Sequence, residues 1–341
     1  MKPTDFSKNL TDFLRLYLPG ERGVSYNTIL SYKDTFMLFI SFIKEHKSIE
    51  ASKLTLRHIS QEWIIEFLNW LQSERQCSNA TRNTRLAALH SFFRYLQYRN
   101  PIHLHEWQRI LAIPIKRTEK PAISYLSLDA IKLLLEQPDQ QKPKEKRDQA
   151  LLSLMYDSGA RVQEIIDLQP SSVNFNQPYT IKLTGKGNKA RIVPLMENQA
   201  KLLKDYMQGH RLLEPYAGNY CLFSNNRMEK LTRMGITLIL KKYVDRARKT
   251  DLSMFPQKVT PHVLRHSKAM HMLQAGVNLV YIRDFLGHTS ISTTEIYAKA
   301  DSRLKREAIE KAYLDISKTK NLSEPSWMKD TGLLEWLKEM K

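Results

Sequence analysis

For its first hundred residues the chain repeats apolar side chains at a helical period, and that repetition confines this half to a bundle of helices. Tyr32, Phe36, Phe39, Ile40 and Ile43 follow i, i+4, i+7, i+8, i+11, and Leu86, Leu89, Phe93 and Leu96 form a second stripe. A stripe of this kind is stable only when another element covers it, so several helices must pack together. Ser78 has the position of an N-cap for the second helix, and "RNP" at Arg99 to Pro101 is its stop. Arg82 and Arg85 fall in that helix's early turns, where they either form a solvated face or contact phosphates.

The pattern breaks between Ile113 and Ser127. "IPIKRTEKPAISYLS" combines prolines with Lys116, Arg117 and Lys120, as an extended linker does, which puts a domain boundary near residue 117. Beyond it helical periods are interrupted by "YTIKLTGKGNKARIVPL". There Tyr179, Ile181 and Leu183 share one face before a turn at Gly185 to Asn188 and a returning strand, a β-hairpin inside a mostly helical domain. The expected fold is mainly α with a small β-hairpin, in two domains, 1–117 and 118–312, followed by a tail, 313–341. No internal repeat is visible.

With 341 residues, the chain is long enough for about two domains at about 150 residues each. Its 53 basic against 35 acidic residues give a net charge of +18, which calls for a polyanionic partner, nucleic acid first and an anionic membrane surface second. No apolar run approaches the roughly 18 residues of a spanning helix, and "MKPTDFSKNL" lacks the apolar core of a signal peptide. The chain therefore reads as soluble and cytoplasmic, without a membrane partner. Cys77 and Cys221 have no second thiol near them, so neither a disulfide framework nor a zinc site is supported.

Several short motifs in the second domain carry chemistry. In "DSGARVQEIIDL", Gly159 permits a sharp entry into a helix that starts at Arg161 and buries Val162, Ile165 and Ile166. Lys186 lies in the hairpin turn, either merely solvated or reaching into a groove; no G-x-x-x-x-G-K-[ST] phosphate loop is present. In "TPHVLRHS", Thr260 has the N-cap place and Pro261 suits N1. His262 then lies in the first turn and Arg265 one turn on, beside the orphan N–H groups that favour a phosphate. "NLVYIRDFLGH" is a helix with Leu279, Ile282 and Leu286 as its stripe, closed by Gly287 and delivering His288. Ser292 and Glu295 have capping-box spacing and open a short helix that presents Tyr297. A tyrosine on a short amphipathic helix is also an ordinary packing residue.

Taken in order, Arg161, Lys186, His262-x-x-Arg265, His288 and Tyr297 resemble the tyrosine site-specific recombinases, the phage integrase family. "GKGNKARIVPL" and "GHTSISTTEIY" are especially similar to the Xer-type resolvases and the integrases of transposons. The resemblance spans residues from about 5 to 312; Ala160 stands where the family usually has Leu before its first arginine. It implies a helical, SAM-like core-binding domain and a catalytic domain closing on DNA as a two-domain clamp.

On this resemblance, Arg161 and Arg265 clamp the non-bridging oxygens of a phosphodiester and hold the added transition-state charge, which a forked guanidinium does better than a lysine. Tyr297 is the nucleophile. With an ordinary pKa near 10 it needs a base, for which His262 is the expected residue. Lys186 protonates the departing 5′ oxygen, His288 donates a hydrogen bond to a phosphate oxygen, and Glu164 orients Arg161.

The implied product is a 3′-phosphotyrosine, reached without ATP, metal or other cofactor. The implied partners are double-stranded DNA at specific recombination sites and further copies of the chain, a dimer per site and a tetramer that exchanges strands through a Holliday junction. Accessory or partner recombinases are compatible with this scheme. Arg82, Arg85, Lys116, Arg117 and Lys120 are the expected DNA contacts outside the catalytic set. The implied task is integration, excision, transposition or resolution of a DNA element in a prokaryotic cytoplasm. A type IB topoisomerase-like nicking and closing enzyme and a catalytically silent DNA-binding regulator are the alternatives. In the neutral tail, Leu333, Trp336, Leu337 and Met340 make a short apolar stripe suited to docking on its own domain or on a neighbouring protomer.

Overall fold

The computed structural model describes residues 2–119 and 122–300. Contacts divide the chain into two compact units, Met1–Pro121 and Ala122–Lys341. The tail helix expected around Trp336, and Lys120 in the linker, lie outside the described residues.

In the first unit α1 (Asp5–Asp12) runs into a wider π-helical stretch, Phe13–Glu21, that carries Pro19. Four more helices follow: α2 (Tyr26–Lys47), α3 (Gln61–Ser73), α4 (Asn79–Arg99) and α5 (Leu104–Leu111). The two sequence stripes are faces of this bundle's core. Phe36, Phe39 and Ile43 of α2 and Leu86, Leu89, Phe93 and Leu96 of α4 are buried, with Tyr32 and Ile40 partly covered. Phe13 and Phe92 meet edge to face at 5.2 Å between centroids, a geometry that sets the positive rim of one ring against the negative face of the other. Ser78 caps α4 by accepting from the Thr81 N–H.

The second unit begins with α6 (Leu128–Leu135), α7 (Pro143–Asp157) and the short α8 (Val162–Ile166). A three-stranded antiparallel sheet follows, β1 (Val173–Asn174), β2 (Thr180–Thr184) and β3 (Ala190–Pro194), in that spatial order. The β2–β3 hairpin pairs Thr180 with Pro194 and Thr184 with Ala190, so Ile181, Leu183 and Val193 point into the core. Its turn, Lys186–Asn188, needs left-handed backbone at Gly187 (φ 76°) and Asn188 (φ 58°), residue types that tolerate it. The strand β1 was not expected from the sequence.

Helices α9 (Glu197–Gly209), α10 (Arg233–Thr250), α11 (Pro261–Gln274), α12 (Leu279–Leu286) and α13 (Ser292–Ala300) complete the described chain. Leu151, Leu152, Ile165, Leu203 and Leu240 belong to the main core of this unit. A smaller apolar cluster joins α11, α12 and α13 through Met270, Leu273, Ile282, Leu286 and Tyr297. No described helix is long and apolar enough to cross a membrane.

Candidate active site

Two turns bring the arginines to one place. Gly159, with φ 55°, swings the chain from α7 into α8, and Arg161 occupies the N-cap position of α8. Glu164 closes that turn: its Oε2 accepts from the Arg161 backbone N–H at 2.8 Å and its Oε1 from Arg161 Nη1 at 2.9 Å. Arg161 Nη2 donates to the Gly287 carbonyl at 3.1 Å. From α11, Arg265 donates through Nη1 to the Gly159 carbonyl at 2.6 Å and through Nη2 to the Leu286 carbonyl at 2.7 Å. The two guanidiniums therefore rest on consecutive carbonyls at the end of α12, immediately before His288.

Gly287 in left-handed conformation (φ 65°) ends α12 and aims His288 back at the site. His288 Nδ1 lies 2.9 Å from Thr294 Oγ1, and its ring stacks at 6.5 Å on that of Tyr297, with an interplanar angle of 11°. Tyr297 is 1% exposed. Its ring is part of the apolar cluster, as a packing tyrosine's would be, while its hydroxyl lies 3.0 Å from Nδ1 of His266. The expected base, His262, thus does not hold the Tyr297 hydroxyl. It sits one turn earlier on α11, its ring 6.3 Å from that of His266.

Arg191 on β3 was missed in the sequence. It donates Nη1 and Nη2 to the two oxygens of Glu164 and Nε to the Phe285 carbonyl at 2.9 Å, tying the hairpin to α8 and α12. His266 was missed as well, although it follows Arg265 directly and shares a helix face with His262. Lys186 has its backbone in the hairpin turn, and its side chain lies outside the described residues. Arg161, Gly185, Lys189, Arg191, Gly287 and His288 border a cleft of about 440 Å³.

Electrostatics follow from burial beside fixed positive charge. Burial pulls the Arg265 pKa down to about 10, with the Arg161 charge adding to it. Burial and then Arg265 and Arg161 lower the pKa of His262 and hold that of His288 at about 4. Burial, His262 and Arg265 do the same to His266, so all three imidazoles are neutral at pH 7. Burial raises the Tyr297 pKa against the pull of Arg265 and Arg161. Burial alone would raise the Glu164 carboxyl too, but hydrogen bonds and charge from Arg191, joined by Arg161, bring it to about 2.

Two local expectations are corrected. Thr260 occupies the N-cap place of α11 without a side-chain cap bond. The hydroxyl at the start of α13 that accepts a backbone N–H is that of Ser290, from Ser292, rather than a Ser292 capping box.

In the helical unit the expected DNA contacts separate. Arg82 is buried, so it forms no solvated face, and Arg85 donates to the Ser31 carbonyl and Thr35 Oγ1 and pairs with Asp34. Lys116 and Arg117 are exposed, their carbonyls held by Asn83 and Asn79 of α4. Among the described residues no group of three or more His, Cys, Asp or Glu is placed to hold a metal ion.

The model of the phage integrase family matches residues 124–323, and that of the phage integrase N-terminal SAM-like domain matches residues 10–100. The chain belongs to the phage integrase family. It is 35% identical over 292 residues to the tyrosine recombinase XerC of Herpetosiphon aurantiacus, covering 85% of this chain and 90% of that one. Against XerD of Listeria monocytogenes the identity is 31% over 290 residues, covering 84% and 92%. Among solved structures the fold is similar to that of the XerH site-specific recombinase bound to its difH substrate before cleavage, with TM-score 0.65 and 24% identity over 84% of this chain and 80% of that one. The protein is a site-specific recombinase, an enzyme that transfers DNA strands, in the two-domain fold of that family.

Proposed function

We propose that Tyr297 is the nucleophile that cuts and rejoins double-stranded DNA at paired recombination sites, through a 3′-phosphotyrosine. The observation that carries this reading is the convergence on the Leu286–Gly287 turn of two guanidiniums, with His288 and the Tyr297 ring stacked beside it. A scissile phosphate seated there exchanges the carbonyl partners of Arg161 and Arg265 for its own non-bridging oxygens. The transition state carries more charge on those oxygens than the ground state, so preformed donors act where they lower the barrier. His288 adds a neutral donor, and Lys186 supplies the proton of the 5′ leaving oxygen. A histidine of α11 takes the phenol proton.

Lys116 and Arg117, exposed in the linker and held by their carbonyls to the first turns of α4, serve as backbone contacts that fix register rather than sequence. The chain acts as a dimer on each site and as a tetramer across two, in the cytoplasm. The test is covalent capture. Wild type and Tyr297→Phe are incubated with fragmented genomic DNA of the host, and protein–DNA adducts are recovered and sequenced. The wild type gives adducts at a defined sequence and the variant gives none. Adducts that persist in Tyr297→Phe overturn the assignment.

A further inference from the structure

His266 is a half-buried titratable group that the sequence motif leaves out. It stands one turn after His262 on α11 and directly after Arg265, with Nδ1 3.0 Å from the oxygen of Tyr297. Their rings lie 5.7 Å apart, so the contact is a hydrogen bond between ring edges rather than a stack. We propose that His266, and not His262, is the group that accepts the Tyr297 proton in cleavage and returns it in religation. This inference rests on Tyr297 being the nucleophile.

The proposed step sets the direction of the bond: the phenol donates its proton to Nδ1, and the neutral imidazole carries its hydrogen on Nε2. The charged and titratable neighbours keep it so: His262 and Arg265 on its own helix, His288 at the end of α12 and Tyr297 on α13. On α7, Asp157 pairs with Lys268 at 3.5 Å. Burial, His262 and Arg265 all lower the pKa of His266, leaving it a neutral acceptor.

The step balances without any further reagent. The Tyr297 O–H proton passes to Nδ1 as the phenol oxygen bonds to phosphorus, and the bond from phosphorus to the 5′ oxygen breaks. The 5′ oxygen takes its proton from Lys186. In the return step the 5′ hydroxyl attacks and returns its proton to the Lys186 amine, the tyrosine–phosphorus bond breaks and Nδ1 gives its proton to the phenolate. His262, freed from this task, stands with Arg265 as a donor to the phosphate.

The test uses the full chain and a nicked duplex carrying the sequence recovered by adduct mapping. Single-turnover cleavage is followed from pH 5.5 to 9.5 for wild type, His266→Asn and His262→Asn, each with DNA affinity and melting temperature measured alongside. An Asn side chain can hold the phenol but cannot take its proton. Wild-type cleavage should rise and level off as His266 becomes neutral. His266→Asn should be slower by about a hundredfold at pH 7 and still climbing at pH 9.5, where the phenol itself begins to ionise. His262→Asn, which loses a donor to the phosphate, should be slower at every pH but should keep the shape of the wild-type profile, rising and levelling off as His266 becomes neutral.

A second arm replaces the nucleophile by a more acidic phenol, Tyr297→trifluorotyrosine, which should rescue His266→Asn by at least tenfold more than it speeds the wild-type background. Where His266→Asn does not fold, His266→Gln takes its place. An unchanged pH profile, equal effects of trifluorotyrosine in both backgrounds, or faster cleavage without His266 overturns the proposal. So does a shift confined to His262→Asn. If wild type forms no Tyr297 adduct at all, the nucleophile assignment fails instead.

Discussion

Arg191 grips Glu164 through two parallel hydrogen bonds, Nη1 to Oε1 at 2.9 Å and Nη2 to Oε2 at 2.8 Å. The same carboxylate holds the backbone and side chain of Arg161, so one buried anion sets the position of a guanidinium assigned to the phosphate. Removing it leaves two partly buried cations without compensation. Glu164→Ala should lower unfolding stability by about 3–5 kcal/mol, the usual cost of breaking a buried pair from one side. Cleavage should also fall at temperatures where the variant is folded. Adding Arg191→Met should recover part of the stability and none of the cleavage. Chemical denaturation and single-turnover capture read the two effects; full recovery of cleavage would show that Arg161 is placed by something else.

Much of this arrangement was legible in the sequence, because local rules decide it. The stripes of α2 and α4, the Ser78 cap, the hairpin, the sharp entry to α8 at Gly159 and the end of α12 at Gly287 all follow from periodicity, capping or backbone conformations that favour glycine. What was hidden depends on partners distant in the chain. Arg191 meets Glu164 across 27 positions and His266 meets Tyr297 across 31, and no spacing rule links such residues. A two-residue strand such as β1 shows no alternation to detect, and Pro19 disguises the π-helical run from Phe13. Arg82 was ambiguous because a helix's early turn exposes some residues and buries others. Only packing decides which, and here it buries the guanidinium.

Gly159 gives a sharper test of the turn. Its φ of 55° disfavours any side chain, and a Cβ would stand 2.9 Å from Leu286 Cδ2 and 3.3 Å from Phe285 Cε1. Left-handed backbone costs about 1–2 kcal/mol and overpacking a further 1–3 kcal/mol or so, so Gly159→Ala should lose about 2–5 kcal/mol. Because the Gly159 carbonyl accepts from Arg265, cleavage should fall beyond the loss of folded protein. A variant that melts and cleaves as wild type does would refute both parts.

The arginines should separate binding from chemistry. Arg161→Lys and Arg265→Lys keep the charge but lose the fork that spans two oxygens. If they act on the transition state, capture rates fall by about 10²–10³-fold while affinity for the same duplex changes little. Arg265→Lys should be the more damaging to folding. Arg265 is 3% exposed and its two carbonyl partners lie on different segments, so the shorter reach of a single ammonium leaves one of them unpaired. Parallel losses in affinity and rate would make both residues simple phosphate contacts.

Acid should weaken the catalytic unit earlier than its carboxylates would. A histidine whose folded pKa lies below the unfolded value of 6.5 binds fewer protons when folded, so its contribution is complete above 6.5 and is lost as pH falls toward the folded value. His262, His266 and His288 all shift this way, His288 to about 4. Glu164 acts later: its contribution is present above 4.5 and is lost only as pH falls toward about 2. Melting temperature should therefore fall between pH 6.5 and 4.5 in the DNA-free protein. His90 and His271, also lowered by burial, add to the same slope, so the decisive quantity is a difference between proteins. In His288→Gln, where nothing at that position titrates, the fall over this window should be smaller than in wild type. Identical slopes in the two proteins would mean that His288 takes up its proton as readily in the folded chain as in the unfolded one, and that the two arginines beside it do not hold it neutral.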